Sequence, residues 1–160
     1  MRRMNRRTKA LIWAVLTAAV LLLVYALGLL IPEEAIAGSF LHAKEPPSLS
    51  HPFGTDALGR DLFLRTLKGL SVSLTVGAAA SLISSIAAIL AGIAAATGSR
   101  RLDGLINWII DLMMGVPHTI LVILISFCLG RGLKGLIVGI AATHWGSLAR
   151  LIRGEVLQLR

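Results

Sequence analysis

Five side chains in this sequence belong to the two residue types, histidine and cysteine, that commonly bind transition metals in proteins. They are His42, His51, His118, His144 and Cys128. A zinc site needs clustered ligands, for example a pair of histidines one helical turn apart, and none of these five residues has such a neighbour. The spacing therefore predicts no resident metal and no other cofactor.

Two of the histidines nevertheless have a second chemical interpretation. His118 and His144 lie in apolar stretches that also contain Met113, Met114 and Cys128, and imidazole, thioether and thiol groups together suit nickel or copper. If the fold brings them together, they are candidates for lining the path of such an ion. The alternative is that both histidines have only a structural role, with His118 after a proline kink and His144 packed near the end of a helix.

No arrangement of residues in the sequence predicts catalysis. The serines and aspartates show no spacing typical of a nucleophile with its base, and no glycine-rich phosphate-binding loop of the P-loop type is present. We therefore expect that the chain has no catalytic residues and is not an enzyme.

The composition indicates a membrane protein. Apolar residues make up 56% of the 160-residue chain, charged residues 15%, and the mean hydropathy is +0.81, whereas a soluble domain has about 45–50% apolar and about 25% charged residues. Several long apolar segments do not fit into one small soluble core. The net charge of +8 comes from basic residues beside these segments, which indicates topology signals and contacts to anionic lipid rather than nucleic-acid binding.

Four apolar segments are predicted to span the membrane, so the expected fold class is all-α. They are residues 10–31, 71–97, 105–129 and 133–145. The first has 22 residues without a charge, which is about 33 Å of helix and enough to cross a hydrocarbon core. A cleaved signal peptide is the alternative for this segment, because Ala35-Ile36-Ala37 resembles a cleavage site, but the apolar stretch is longer than a signal peptide requires.

The segment between the first two spans, residues 32–70, is polar and broken at its start. Pro46, Pro47, Pro52 and Gly54 disfavour a helix before Thr55. From there to residue 70, apolar residues recur on one helical face, which predicts an amphipathic helix at the membrane interface.

Small residues recur every four positions in the second span. One row is Gly77, Ser81 and Ser85, and the other is Ala80, Ser84, Ala88 and Gly92. Such rows allow another helix to approach closely, so this span is expected to pack among protein neighbours. The third span contains Asp111 near one end and Pro117 within it.

The distribution of basic residues predicts the orientation. With the N-terminus in the cytoplasm, the inner segments hold ten Lys and Arg residues (five in 1–9, two in 98–104 and three in 148–160), and the outer segments hold six. Because basic residues concentrate on the cytoplasmic side, we expect both termini in the cytoplasm. Residues 32–70 are then extracytoplasmic, and residues 148–160 form a basic amphipathic segment inside.

The most informative stretch is HPFGTDALGRD, from His51 to Asp61. Its Pro and Gly residues predict a turn that leads into a helix, which Thr55 or Asp56 caps and whose first turn Asp61 favours. Extended to Leu74, the pattern HPFGTD-x-x-GRD-x-F-x-R-T-x-x-G-x-x-x-S-L resembles the signature of the second permease subunit of dipeptide, oligopeptide and nickel ABC importers. The motif residues that carry this resemblance are Gly54, Thr55, Asp56, Gly59, Arg60 and Asp61.

The resemblance continues in the same order through the rest of the chain. Its further elements are the small-residue helix Gly77–Gly98, the acids Asp103 and Asp111, Pro117, the turn Gly130–Leu133 and the run Trp145–Arg153. It implies that residues 71–160 are part of the core of a permease with about six spans. We expect residues 71–130 to provide pathway-facing helices, with Gly77, Ser81, Ser85, Gly92, Asp111 and Pro117 as packing or pathway residues.

The resemblance also implies a function and partners. It implies a permease subunit in the cell inner membrane that imports peptides or nickel by alternating access. A second permease subunit would complete the pathway, two ABC ATPase subunits would drive it, and an extracytoplasmic binding protein would deliver the substrate. Membrane lipid is the remaining expected partner, and nucleic acid is not one.

Two departures from the family pattern affect these expectations. Trp108 stands where an arginine is common, so Asp111 lacks that partner, and Arg101 is the candidate to replace it. The sequence also stops before the cytoplasmic Glu-Ala-Ala loop that docks onto the ATPase, which suggests a truncated, split or frameshifted product that does not itself couple ATP hydrolysis to transport. The alternative function is a small non-transporting membrane protein that assembles or regulates a complex, or a permease fragment without activity.

Overall fold

The computed structural model describes residues 5–130 and 132–159, and within these ranges the chain contains five α-helices and no β-strand. The helices are α1 (Arg6–Leu30), α2 (Leu62–Thr97), α3 (Arg100–Met114), α4 (His118–Cys128) and α5 (Leu133–Gln158). Two short 3-10 helices, Glu33–Ile36 and Phe40–His42, lie between α1 and α2. Of the predicted segments, Arg2 and Arg3 of the basic N-terminus, Arg131 of the turn and Arg160 lie outside the described residues.

The number of helices that can cross a membrane agrees with the sequence prediction. The helices α1, α2 and α5 are each long and apolar enough to span a bilayer, and α3 with α4 adds a fourth crossing if this bent pair is one span. The prediction of an all-α membrane protein is therefore confirmed.

Helix α1 exposes its apolar surface on all sides. It has 25 residues, about 37 Å of helix, and none of its most apolar 18-residue window is buried within the protein. The helix ends before Pro32, because proline restricts the residue before it to extended conformations. Its one buried residue is Gly28, where a Cβ atom would lie 2.5 Å from Ser71 Cβ, so glycine at this position permits close contact with the start of α2.

Helix α2 unites two elements that the sequence analysis treated as separate. The predicted amphipathic helix and the second span form one helix of 36 residues, which begins at Leu62 rather than near Thr55. The chain has no proline between Leu62 and Thr97, and Gly69 and Gly77 alone do not break a helix. The start is later because residues 55–61 close a turn through an isolated antiparallel bridge between Thr55 and Asp61.

The predicted third span, residues 105–129, is not one straight helix. It is divided into α3 and α4, which meet at an angle of 95°. Pro117 causes the break because it lacks an amide proton and its ring clashes with a preceding helical turn, and it follows Gly115 in the short connection. Helix α3 also begins earlier than predicted, because Ser99 caps it by accepting a hydrogen bond from the Leu102 amide at 3.3 Å.

The boundary predicted after Trp145 is absent as well. The fourth span and the basic segment that follows it form the continuous helix α5 of 26 residues, because Gly146 and Ser147 are tolerated within a helix. The turn before α5 contains Gly130 and Gly132, with φ values of 94° and 138°, which L-residues with a side chain rarely adopt.

The contacts divide the chain into two compact units, Met1–Leu74 and Thr75–Arg160, so α2 contributes to both. In the second unit, α4 contacts the first half of α5 and α3 contacts its second half. The core of this unit is Ala88, Ile110 and Ala149, surrounded by half-buried residues that include Trp145 and Ile152. Small residues dominate this core, so the helices pack at short distances.

Candidate functional site

The His51–Asp61 motif of the first unit forms a closed loop in which both motif glycines adopt positive φ. Gly54 has φ +71° and Gly59 has φ +68°. A Cβ atom at Gly59 would lie 1.8 Å from the Ser39 carbonyl oxygen, and one at Gly54 would lie 2.6 Å from the Glu45 carbonyl oxygen. Both positions therefore require glycine for two reasons, the backbone conformation and the close approach of another chain segment.

Thr55 joins the motif to the preceding segment and is 7% exposed. Its hydroxyl donates to the His42 carbonyl oxygen and accepts from the Glu45 amide at 2.9 Å, while its own amide donates to the Glu45 carbonyl at 3.1 Å. The buried hydroxyl thus acts both as donor and as acceptor, and it holds residues 42–45 against the motif.

Asp56 closes the turn that follows. Its Oδ1 accepts from the amides of Leu58 at 2.8 Å and Arg60 at 3.0 Å, and its Oδ2 accepts from Arg65 Nη1 at 2.7 Å. The hydrogen bond from the Arg60 amide is the main reason that the pKa of Asp56 lies below its ordinary value, and the Leu58 amide and the Arg60 and Arg65 charges lower it further. The backbone of Arg60 makes a second hydrogen bond with this residue, because its carbonyl oxygen accepts from the Asp56 amide at 3.0 Å.

Asp61 caps α2. Its Oδ1 accepts from the amides of Phe63 at 2.7 Å and Leu64 at 3.0 Å, as expected for a helix N-cap. Desolvation raises the pKa of the buried Asp61 carboxyl, but the hydrogen bond from His51 and those from the Leu64 and Phe63 amides outweigh it, so the pKa lies below its ordinary value.

A row of polar side chains, which the sequence analysis did not anticipate, extends from this cap. His51 Nδ1 lies 2.8 Å from Asp61 Oδ2 and its Nε2 lies 3.8 Å from Glu45 Oε2, while Glu45 Oε1 lies 2.7 Å from His42 Nδ1. The two imidazole rings are 6.2 Å apart. Although the row contains two histidines and two acids, no three His, Cys, Asp or Glu side chains converge in metal-binding geometry anywhere in the described part of the chain.

The loop therefore has the properties of a rigid scaffold rather than those of a reactive site. Its motif side chains are occupied with backbone amides, carbonyls and each other, and its exposed surface carries apolar residues such as Phe40, Leu41 and Leu49, which are 78%, 91% and 105% exposed. Such a loop can present a fixed surface to a binding partner, but offers no group arranged for chemistry.

Two of the cavities in the second unit lie beside α5, one against α2 and the other at the α3–α4 break. One, of about 380 Å³, is lined by Gly77, Ser81, Ser85, Ile140 and His144 among others. The other, of about 300 Å³, lies at the α3–α4 break and is lined by residues that include Met113, Pro117, His118, Thr143 and His144. His144 lines both cavities, so this side chain is a polar group common to them.

The structure brings His118 and His144 together, with ring centroids 4.7 Å apart. Thr143 Oγ1 lies 2.9 Å from His118 Nε2 and within 3.1 Å of the carbonyl oxygens of Gly139 and Ile140. His118 Nε2 is therefore engaged with the Thr143 hydroxyl, and Nδ1 makes no hydrogen bond within the part of the chain that the structure describes.

The soft side chains near this pair are divided. Met113 and Met114 line the same cavity, whereas Cys128 is exposed at the far end of α4 and does not line it. The two histidines and two thioethers are thus the candidate ligand set that the fold assembles.

The two rows of small residues in α2 have different surroundings. Ala80, Ser84 and Ala88 are buried, and a Cβ atom at Gly92 would lie 2.7 Å from the Ala149 carbonyl oxygen of α5. A Cβ atom at Gly77 would meet nothing within 4 Å, and Ser81 is exposed, so the row that starts at Gly77 lines the larger cavity. The row that contains Ala88 and Gly92 is the more deeply buried, and its Ala80 and Ser84 also line this cavity.

Ion pairs connect the acids of α3 to the arginines of α5. Asp111 pairs with Arg150 and not with Arg101, which corrects the expected partner. Asp103 receives Arg153 Nε and Nη2, both at 2.6 Å, and Asn107 Nδ2 at 2.6 Å. The spacing of the sequence could not identify these partners, because they are 39 and 50 residues away along the chain.

Comparison with known proteins identifies the kind of protein that has this helical arrangement. Residues 87–160, which include the end of α2 and all of α3, α4 and α5, match the model of the family described as binding-protein-dependent transport system inner membrane component. This part of the chain is therefore similar to the membrane components of importers that depend on a binding protein.

Individual relatives extend the similarity toward the N-terminus. The dipeptide transport system permease protein DppC of Bacillus subtilis (strain 168) is 39% identical over 129 residues, which are 81% of this chain and 40% of the relative. The oligopeptide transport system permease protein OppC of the same organism is 38% identical over 122 residues, which are 76% of this chain and 40% of the relative. The chain thus spans about 40% of the length of these two curated relatives.

Proposed function

We propose that this protein is a transmembrane permease subunit of an ABC importer for peptides. The observation that carries the proposal is the match of residues 87–160 to the binding-protein-dependent inner membrane components, together with relatives named as dipeptide and oligopeptide permeases. The substrate class comes from the names of those relatives. The chain itself supplies membrane-spanning helices and, at the α3–α4 break, irregular backbone beside a cavity.

The broken helix supports a transport role on physical grounds. Non-helical backbone at membrane depth needs partners for its polar groups, and it is tolerated where it is buried in protein or lines a cavity. Discontinuous helices of this kind often form the substrate sites of transporters. We infer that α4, α5 and the cavity-lining face of α2, with Gly77, Ser81 and Ser85, contribute to the pathway.

The partners follow from the same proposal. A second permease subunit would complete the pathway against the face of α2 that contains Gly77, two ABC ATPase subunits would bind on the cytoplasmic side, and an extracytoplasmic binding protein would deliver the peptide. The rigid loop of residues 32–61 is suited to receive that binding protein, because its hydrogen-bonded backbone presents Phe40, Leu41 and Leu49 to solvent.

The arrangement in the membrane is part of the proposal. Residues 1–9 lie in the cytoplasm, residues 10–31 form the first crossing, residues 32–70 are extracytoplasmic, and residues 71–160 belong to the permease core. The α3–α4 pair enters the membrane from the cytoplasmic side and α5 returns the chain, so the C-terminal end of α5 lies in the cytoplasm. The charge count of ten basic residues inside against six outside supports this orientation.

Uptake by whole cells tests the function. Deletion of the gene in its source organism is expected to abolish uptake of a radiolabelled dipeptide, and re-expression is expected to restore it. A Cβ atom at Gly77 would meet nothing within 4 Å and the position borders a cavity, so Gly77→Leu should abolish uptake and co-purification with the partner permease while the protein still accumulates in the membrane. Unchanged uptake after deletion would contradict the proposal and favour a non-transporting role.

A second candidate substrate is nickel, and the His118–His144 contact is the observation that favours it. Two imidazoles at a centroid distance of 4.7 Å, with Met113 and Met114 in the same cavity, provide nitrogen and sulfur ligands that suit this ion. His118 Nδ1 and the His144 ring are the groups available to bind it. A path for nickel would use these ligands transiently, since a transported ion must also be released.

Substitution of this pair distinguishes the two substrates. If nickel is transported, His118→Asn with His144→Asn should reduce uptake of radioactive nickel severely and leave dipeptide uptake nearly unchanged. His42→Asn with His51→Asn is the matched control, because that pair lies in the loop between α1 and α2 and its rings are 6.2 Å apart. Absence of nickel uptake by the unmodified protein would exclude nickel and leave the peptide proposal intact.

A further inference from the structure

The charges of helix α3 are not balanced on its own surface. Its two acids are paired with α5, Asp111 with Arg150 and Asp103 with Arg153. The two arginines of its first turn, Arg100 and Arg101, have no ion pair among the described residues. The helix therefore presents two uncompensated positive charges at its N-terminal end.

The two faces of α3 are occupied differently. Ile106 and Ile110 face the core of the second unit. On the opposite side, Leu105, Trp108 and Leu112 are 53%, 60% and 59% exposed. Positions 101, 105, 108 and 112 lie on one face of the helix because they are three or four residues apart. Arg101 is therefore on the same face as the exposed apolar residues, at the N-terminal end of α3.

The bend between α3 and α4 and the charges of the two helices together indicate which of them lies along the membrane normal. Because α3 and α4 meet at 95°, they cannot both do so. The 11 residues of α4 include no Asp, Glu, Lys or Arg, whereas the 15 residues of α3 include two arginines and two aspartates. Since charges in the hydrocarbon are costly, α3 is the helix that remains near the membrane–water interface.

We propose that the exposed stripe of α3, formed by Arg101, Leu105, Trp108 and Leu112 with Arg100 beside it, is a binding surface for anionic phospholipid. The apolar row enters the boundary between headgroups and acyl chains, Trp108 anchors it there, and the two arginines contact lipid phosphates. The complementary charge of the headgroup is what selects this occupant, because the stripe combines an apolar row with cations that no acid in the described part of the chain neutralises. The proposal rests on the membrane location of the chain and not on which substrate it transports.

Depth-dependent fluorescence quenching tests the position of α3. The protein is reconstituted into vesicles of phosphatidylcholine and phosphatidylglycerol that carry bromine at defined positions along the acyl chain. In a variant with Trp13→Phe and Trp145→Phe, Trp108 should be quenched most strongly by bromine near the headgroup. Strongest quenching by bromine near the chain end, or none at any depth, would overturn the proposal by placing α3 across the bilayer or under protein.

Trp145 borders the core, so its substitution can prevent folding, and a second variant provides the same information. Trp108→Leu in the otherwise unchanged protein should remove the component of fluorescence that is quenched from shallow positions. If the quenching profiles of this variant and the unmodified protein coincide, Trp108 is not at the interface and the proposal fails.

Lipid selectivity tests the two arginines. Arg100→Gln with Arg101→Gln should weaken binding of phosphatidylglycerol about 5-fold per arginine removed, as measured by native mass spectrometry of lipid retained by the purified protein. Arg6→Gln with Arg7→Gln is the matched control, because these residues form an equally basic start of α1. An equal loss in both double variants, or no loss in the first, would show that α3 has no preference for anionic lipid.

Discussion

The loop of residues 32–61 and the helical assembly of α3, α4 and α5 are held together by different forces. In the loop, buried and half-buried polar side chains satisfy backbone groups, and two glycines with positive φ allow segments to meet. In the helical assembly, small residues allow close packing and ion pairs join α3 to α5. The loop is closed by these hydrogen bonds, whereas the helices of the second unit border cavities that include those of about 300 and 380 Å³.

The motif from His51 to Asp61 forms a hydrogen-bonded loop, whereas the cavities lie in the second unit, among residues such as Gly77 and Pro117 that belong to the later part of the resemblance. The two parts of the resemblance therefore have different surroundings. A glycine substitution in each region, and a charge substitution in each region, can test this contrast.

The largest effect is expected from Gly59→Ala in the loop. Alanine at φ +68° with its Cβ 1.8 Å from the Ser39 carbonyl oxygen would prevent closure, and strain of this kind with displacement of backbone costs about 3 kcal/mol or more. Hydrogen exchange of the Ser39 and Asp56 amides should become much faster. Gly69→Ala is the control, because no atom lies within 4 Å and the position is helical, so exchange should be unchanged or slower.

The next effect is expected from Gly92→Ala in the helical assembly. The new methyl group would lie 2.7 Å from the Ala149 carbonyl oxygen and 2.9 Å from Ile152 Cβ, and overpacking of this kind costs about 1–3 kcal/mol. The midpoint of thermal unfolding of the purified Gly92→Ala variant should therefore be lower than that of the unmodified protein. Gly77→Ala should leave the midpoint unchanged or slightly raised, since that position is open, and equal effects at Gly77 and Gly92 would contradict the assignment of the two small-residue rows.

Smaller effects are expected from the ion pairs, and they should differ in size. The Asp103 side chain is 26% exposed and makes two hydrogen bonds with Arg153 and one with Asn107, whereas that of Asp111 is 67% exposed and pairs with Arg150. Because an exposed pair contributes little, Asp103→Asn should lower the unfolding midpoint more than Asp111→Asn. Double-mutant cycles with Arg153→Gln and Arg150→Gln provide the measurement, and a larger coupling for the Asp111 pair would reverse this ranking.

The smallest effect is expected from the titration of Asp61 in the loop. Its pKa is lower in the folded protein than in the unfolded chain, so the stabilisation is present above the unfolded pKa of about 3.9 and is lost as the pH falls through the folded pKa. Protection of the Phe63 and Leu64 amides, corrected for intrinsic exchange, should therefore decrease below about pH 4. Asp61→Asn should remove this dependence, and a decrease that persists in the variant would assign it to another group.

Much of the fold could be predicted because its signals are local. The 22 residues of 10–31 without a charge predict a span without reference to any other part of the chain, and proline and glycine predict the loop before α2. Boundaries were less predictable. The amphipathic segment and the second span form one helix because no proline interrupts the chain near residue 70. Apolar periodicity alone does not show whether two neighbouring helical segments are continuous.

The candidate site was predictable in residue type but not in arrangement. His118 and His144 were recognised as possible ligands, yet their contact depends on the break at Pro117 and on α4 folding back along α5. Arg150 was not recognised as the partner of Asp111, and His51 was not connected to Asp61. Side chains 10 to 50 residues apart become neighbours only through the chain path, which spacing does not report.

Local features of the sequence were enough to identify an all-α membrane protein related to importer permeases. The length and composition of an apolar segment decide whether it enters the membrane, because the free energy of transfer from water is a sum over the residues of that segment. Three properties became visible only in the folded protein: one row of small residues is buried while the other is more exposed, α3 turns away from α4, and Arg100 and Arg101 have no acidic partner among the described residues. These properties depend on which surfaces meet, and a contact between distant segments is determined by geometry that no single segment contains.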